Sequence, residues 1–137
     1  MSGWRGYAAV GAGSALGSAL RHGVSHVAQT LPAAGFPWGT LAVNLLGSWL
    51  IAVFAASIAC RRGGPLRRWQ PFLMAGFCGG FTTFSLFGLE TLQLAESGRT
   101  GLALGYALAN VPLWLLAAWL GSRLGRHQGG IPAGRQG

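Results

Sequence analysis

The sequence predicts an all-α membrane protein whose chain crosses the bilayer four times, and three observations carry that prediction. Apolar residues make up 51% of the 137 positions and charged residues only 9%, against about 25% charged in an ordinary soluble domain. A water-soluble globule of this size has too much surface to cover with so few charges. The charges are also segregated. His aside, none occurs from His22 to Cys60, from Trp69 to Leu89 or from Thr100 to Ser122, and a spanning helix needs about 20 mostly apolar residues. Finally, the net charge of +8 comes from arginines that punctuate these runs rather than from a solvated basic face, which argues against a nucleic-acid partner.

The spans follow in order. The first is expected over Gly6–Leu20. Arg5 ahead of an apolar stretch has the look of a signal peptide, but Gly11, Gly13, Ser14, Gly17 and Ser18 suit close helix packing, with Gly13 and Gly17 forming a G-x-x-x-G step, so a retained helix is favoured. Pro32, Gly35 and Pro37 break the next uncharged run, which leaves a loop over His22–Pro37 and a second span over Trp38–Cys60. The third span covers Trp69–Leu94 and the fourth Thr100–Leu120. Trp4, Trp38, Trp69 and Trp119 fall near span ends, where amphipathic rings favour the headgroup level. Residues 1–120 thus form the transmembrane domain. The Gly- and Arg-rich stretch 121–137 has no apolar period and is expected to be disordered. Cys60 and Cys78 have no ligand spacing around them and read as small packing residues.

Four spans put both termini and the loop between spans two and three on one side. That side carries Arg5, Arg61, Arg62, Arg67, Arg68, Arg123, Arg126 and Arg135, and the other only Arg21 and Arg99. Arginine-rich short loops stay in the cytoplasm, so both termini are expected there.

Soluble-enzyme chemistry has little to work with. Glu90 and Glu96 are the only carboxylates, Lys is missing from the chain, and His22, His26 and His127 fall in a loop or tail; no paired acid and base, carboxylate-rich metal site or phosphate loop results. The notable feature is polarity inside the spans. Asn44 lies in span two, where a buried amide needs partners and serves either as interhelical glue or as a donor on a path. Span three contains Gly79-Gly80 and Thr82-Thr83 at its centre, a poor recipe for an unbroken helix. A break there either frees backbone carbonyls for a monovalent cation or is a kink satisfied by the threonine hydroxyls. Beyond it, Phe84, Phe87 and Glu90 share one helical face. The rings are ordinary packing residues or, through their positive edges, a lining suited to an anion. At 1.5 Å per residue, Asn44 lies about 12 Å along span two from Phe36, and Phe87 about 10 Å along span three from Leu94, on the same side. Asn110 lies about 15 Å from Thr100, near the midplane, and lines the path or packs.

Gly39-Thr40-Leu41-Ala42-Val43-Asn44-Leu45-Leu46-Gly47 and the stretch Gly76 to Phe87 together resemble the small bacterial fluoride channels of the Fluc or CrcB family, through the patterns G-T-L-x-V-N-x-x-G and G-x-x-G-G-x-T-T-F-S-x-F. Span one fits more loosely, through Gly13, Gly17 and Arg21. The resemblance covers all but the termini. It implies an antiparallel dimer in a bacterial cell membrane, with two fluoride pathways and passive efflux of cytoplasmic fluoride. It also implies a structural sodium ion at the dimer centre, held at the positions of Gly79 and Thr82. Phe84 and Phe87 match the pore phenylalanines, Asn44 the pore Asn, and Ser85 the Ser beside the first ring. The chain departs from the family pattern at Leu86, where Thr is frequent, at Asn110, where span four usually offers Ser, and at Gly13-Ser14 and Arg21-His22.

An antiparallel homodimer needs each chain to insert both ways, whereas eight arginines against two favour a single orientation. A homologous, oppositely oriented partner is therefore a second expectation beside self-pairing. Two other classes compete. A small drug/proton antiporter needs a titratable carboxylate in a span, and here the first span has none while Glu90 lies near the end of the third. A non-transporting subunit held by small-residue packing leaves the polar residues at the midplane unexplained.

Overall fold

The computed structural model describes residues 3–32, 35–61 and 63–129. Among these the chain is helical with no strand: α1 (Gly3–Gln29), α2 (Trp38–Cys60), a short α3 (Pro65–Arg68), a wide π-wound segment π1 (Pro71–Cys78), a single turn α4 (Gly79–Phe81), α5 (Phe84–Glu96) and α6 (Thr100–Gly129). Three stretches are long and apolar enough to cross a membrane: Trp38–Cys60, Pro71–Glu96 and Thr100–Gln128. α1 is long enough but, with its Gly, Ser, Arg and His content, falls short in hydropathy.

Two helices outrun the sequence expectation. α1 continues through the stretch assigned to a loop after Leu20, because no proline interrupts it before Pro32 and its last turns are packed. A Cβ on Gly39 would stand 2.9 Å from the Cα of Ser25 and 3.2 Å from the Cβ of Ala28, so the end of α1 rests directly on the start of α2. α6 likewise continues past Leu120 to Gly129, which corrects the disordered tail for residues 121–129. Gly121 and Gly125, four apart, lie against the carbonyls of Trp49 and Val53 on α2. The Ser57 hydroxyl adds a bond to the carbonyl of Gly125 at 3.3 Å, and Arg61 adds one to that of Gln128 at 3.0 Å. The glycines that made the tail look unstructured are a close-packing step. Residues 130–137, with Arg135, and Arg62 lie outside the described residues.

Glycine also sets the contact between α1 and the first half of the third segment. A Cβ on Gly76 would meet the Val10 carbonyl at 2.7 Å, one on Gly13 the Phe77 amide at 2.8 Å and one on Gly17 the Phe81 amide at 2.8 Å. A Cβ on Gly80 would strike the Ser14 backbone. The two backbones therefore touch, with no side chain between them. The Ser18 hydroxyl reaches the Gly80 carbonyl across this seam at 3.3 Å. α5 and α6 meet differently, through Phe87, Leu94, Ala103 and Tyr106. Gly98 (φ 80°) closes α5, letting the Arg99 amide reach back to the Leu94 carbonyl at 3.0 Å, a glycine-terminated helix end.

Candidate ion pathway

The third segment leaves helical geometry at two residues. α4 ends at Phe81; Thr82 (φ −85°, ψ 157°) and Thr83 (φ −152°, ψ 122°) are extended; α5 starts at Phe84. Main-chain groups freed this way, in an apolar segment, need partners. Asn44 supplies two of them: its Nδ2 donates to the Thr83 carbonyl and its Oδ1 accepts from the Thr83 amide, both at 2.8 Å. The side-chain amide thus pairs with one residue of α4–α5 as a neighbouring strand would. Thr83 in turn caps α5, its Oγ1 accepting from the Leu86 amide at 3.2 Å, the role threonine favours at a helix start. Thr82 directs its hydroxyl back to the Cys78 carbonyl at 2.9 Å. Because the Thr83 amide is drawn to Asn44, it does not reach the Gly79 carbonyl, its partner in a continuous α-helix.

Gly47 makes this approach feasible, since a Cβ there would overlap Thr82 Cγ2. Asn44, 5% exposed, lines an open groove of about 230 Å³ together with Ser48, Gly79, Thr82, Phe84 and Trp114. The groove brings together Asn44, Gly79, Thr82 and Phe84 from the sequence-derived candidates. Ser85 stands beside it on the chain, exposed, with its Oγ 3.3 Å from Thr83 Oγ1.

The two phenylalanines part company. Phe84 is 73% exposed and Phe87 only 7%, although their ring centroids are 5.5 Å apart. Phe87 sits between Trp114, edge-on at 4.8 Å, and Tyr106 at 5.2 Å. Asn110 is fully buried; its Nδ2 donates to the Tyr106 carbonyl one turn back, and its Oδ1 has no hydrogen-bond partner among the described residues. It lines neither this groove nor the cavity described next. Of the two expectations for Asn110, the structure supports packing within its own helix for the amide nitrogen and leaves the oxygen unmatched. The indole N–H of Trp114, one turn further on, is also buried without a partner among the described residues.

Glu90 completes the face begun by the two rings. Thr40 Oγ1 donates to its Oε1 at 2.8 Å and the Tyr106 hydroxyl to its Oε2 at 2.9 Å. The carboxylate is thereby held between α2 and α6 at one side of a cavity of about 450 Å³, which Ser25, Gln93, Ser97 and Arg99 also line. Arg99 Nη1 donates to the Gly35 carbonyl at 3.2 Å, fastening the loop before α2 over this cavity. Thr40, Tyr106 and Trp114 were missed in the sequence. Their signal was spacing: Thr40 precedes Asn44 by one turn on α2, and Tyr106, Asn110 and Trp114 follow one another at intervals of four on α6, each a single polar stripe on an apolar helix.

A chain with three apolar spans, one of them interrupted and stitched by a side-chain amide from another, belongs to the class of small integral membrane proteins that keep polar groups at membrane depth for transport. More particularly, it is a member of the CrcB family: the family described as CrcB-like protein, Camphor Resistance (CrcB), matches residues 8–122. Similar proteins include one from Paracoccus denitrificans, 48% identical over 117 residues that cover 85% of this chain and 91% of the relative. Another, from Thermus thermophilus, is 47% identical over 120 residues, covering 87% and 94%, and a third, from Agrobacterium fabrum, is 41% identical over 120 residues, covering 88% and 95%. Each of the three is described as a fluoride-specific ion channel, FluC.

Proposed function

We infer that this chain is a fluoride-selective channel that lowers cytoplasmic fluoride by passive efflux across a bacterial plasma membrane. The observation that carries the reading is the pairing of Asn44 with the extended Thr83 beside Phe84, in a chain 48% identical over 117 residues to a fluoride-specific channel. Fluoride is small and strongly hydrated, so a selective path replaces its water with donors yet releases the ion at the other end. Asn44 keeps one amide hydrogen beyond its bond to Thr83, Ser85 offers a hydroxyl, and Phe84 and Phe87 offer ring edges of positive potential. Asn110 is the least directly placed of the five, being buried behind Tyr106.

The conducting unit is a dimer of oppositely inserted chains, with α1 crossing the bilayer as a fourth span. Phe84 supports this, since a large ring 73% exposed beside a polar groove suits cover by a second chain. A sodium ion at the centre suits the same face: the carbonyls of Gly79 and Thr82 are neutral, hard oxygens at a helix interruption, the donor type that holds a monovalent cation. When bound, that cation would add fixed positive potential near the anion route. The eight-to-two arginine bias favours inside termini and a separately encoded homologous partner over a second copy. Reporter fusions after the last helix test this, and equal signal from both sides of the membrane restores the homodimer.

The channel reading is tested by fluoride-electrode recordings from vesicles containing only this polypeptide. Rapid fluoride release with negligible chloride release is expected, from this polypeptide alone if it pairs with itself and on adding the oppositely inserted homologue if it does not. Phe84→Ile and Phe87→Ile should each cut the release while leaving the assembly intact in detergent. Unchanged release in both variants removes the rings from the mechanism, and uptake of a cationic dye driven by a proton gradient would favour the antiporter.

A further inference from the structure

We propose that the cleft between the end of α2, α3, π1 and the end of α6 is a seat for one anionic phospholipid. The cleft encloses about 560 Å³, within the range of about 300–1,000 Å³ usual for ligand sites. Val53, Phe54, Leu66, Phe72 and Leu73 form its apolar wall. Arg61 lines the same cleft and is held at its edge by the bond from Nη2 to the Gln128 carbonyl at 3.0 Å. Arg61 caps the end of α2, eight positions after Val53, about 12 Å of helix, so the apolar wall extends toward the bilayer interior from a cationic rim. Arg67 and Arg68, exposed on α3, stand in the chain between the lining residues Leu66 and Trp69. Trp69, half exposed and edge-on to Phe72 at 5.9 Å, marks the headgroup level. Both carboxylates of the chain lie on α5, so no acidic side chain opposes a phosphodiester here. Acyl chain below and phosphate above match this order of chemistry, as in basic pockets between membrane helices.

The site does not depend on fluoride conduction, and its test reads none. The full chain, purified in mild detergent, is mixed with equimolar phosphatidylglycerol and phosphatidylcholine of identical acyl chains and weighed by native mass spectrometry. A preference of about tenfold or more for phosphatidylglycerol is expected, since each arginine near an anionic headgroup contributes about fivefold. R61Q/R67Q/R68Q should bring the ratio to about one, and R61K/R67K/R68K should recover most of it. R5Q/R123Q, which removes two arginines away from the cleft, should leave it unchanged. Four results overturn the proposal: equal retention of the two lipids, a preference surviving R61Q/R67Q/R68Q, equal loss in R5Q/R123Q, or displacement by glycerophosphoglycerol lacking acyl chains. A change in oligomer mass in R61Q/R67Q/R68Q without bound lipid would assign the cleft to a second protein chain instead.

Discussion

The two halves of the interrupted third segment are packed by opposite means. Before the interruption, π1 and α4 lie on α1 through Gly13, Gly17, Gly76 and Gly80, with backbone against backbone. After it, α5 stands off from α2 and α6 and reaches them through rings and hydroxyls: Phe87 to Tyr106 and Trp114, and Glu90 to Thr40 and Tyr106. The first contact leaves no room for a side chain, still less an ion. The second leaves a groove and a cavity lined by polar groups. One half anchors and the other carries the route proposed for fluoride, and the two extended threonines mark the change between them.

The contrast breaks most sharply at the anchor. Gly17→Val or Gly80→Val drives a side chain into the facing main chain, and overpacking of that kind costs about 3 kcal/mol or more where the backbone must part. Loss of monodisperse protein on size exclusion is expected, and a normal elution profile with unaltered melting would show that the seam opens easily. At the junction, Asn44→Leu strips two main-chain groups of Thr83 of their partners, at about 1–3 kcal/mol for each group left buried and unsatisfied. A large fall in melting temperature together with loss of fluoride release is expected; retention of both would mean that water replaces the amide.

Smaller effects sharpen the comparison. Thr83→Val removes the cap of α5 while its backbone still meets Asn44, so about 1 kcal/mol of stability should be lost, read as a modest shift in thermal melting. In the half after the interruption, Tyr106→Phe and Thr40→Val each remove one donor from Glu90. Interhelical bonds in membranes average about 0.6 kcal/mol, so either change alone should barely move the melting temperature. The double variant, leaving the carboxylate without either donor, should lose more than the sum of the two. Ser18→Ala, on the anchor side, deletes one 3.3 Å bond and should have the smallest effect; a loss as large as that of Gly17→Val would mean that the seam depends on the hydroxyl rather than on proximity.

The legibility of these regions in the sequence follows the same division. Gly13 and Gly17 announced a close contact because a G-x-x-x-G step has one dominant use in an apolar helix. Gly121 and Gly125 have the same spacing, yet the arginines around them suggested a solvated tail; what makes that stretch helical is α2 lying alongside, which no local pattern records. The bounds of α1 were short for a related reason, since Pro32, Gly35 and Pro37 made the stretch from His22 onward read as loop, while Gly39 supplies the surface on which Ser25 and Ala28 pack. At the site, Asn44 and the Gly-Gly/Thr-Thr centre drew attention as polar groups out of place. That the amide would be spent on Thr83, and that Phe84 and Phe87 would differ tenfold in exposure, depends on which helix faces which. Thr40 escaped notice because a threonine hydroxyl in an apolar helix has a default explanation, bonding to its own backbone, and Tyr106 because an aromatic ring there reads as packing, until a carboxylate comes within reach.

α6 has one further consequence. Its 30 residues amount to about 45 Å of helix, while the hydrocarbon layer is about 30 Å thick. Unless strongly inclined, the rod overshoots the lipid by some three turns, and the packing of Gly121 and Gly125 on α2 keeps those turns stiff. A fluorophore placed on those last turns, between Gly121 and Gln128, is therefore carried on a rigid mast above the headgroups and reports the attitude of the whole bundle.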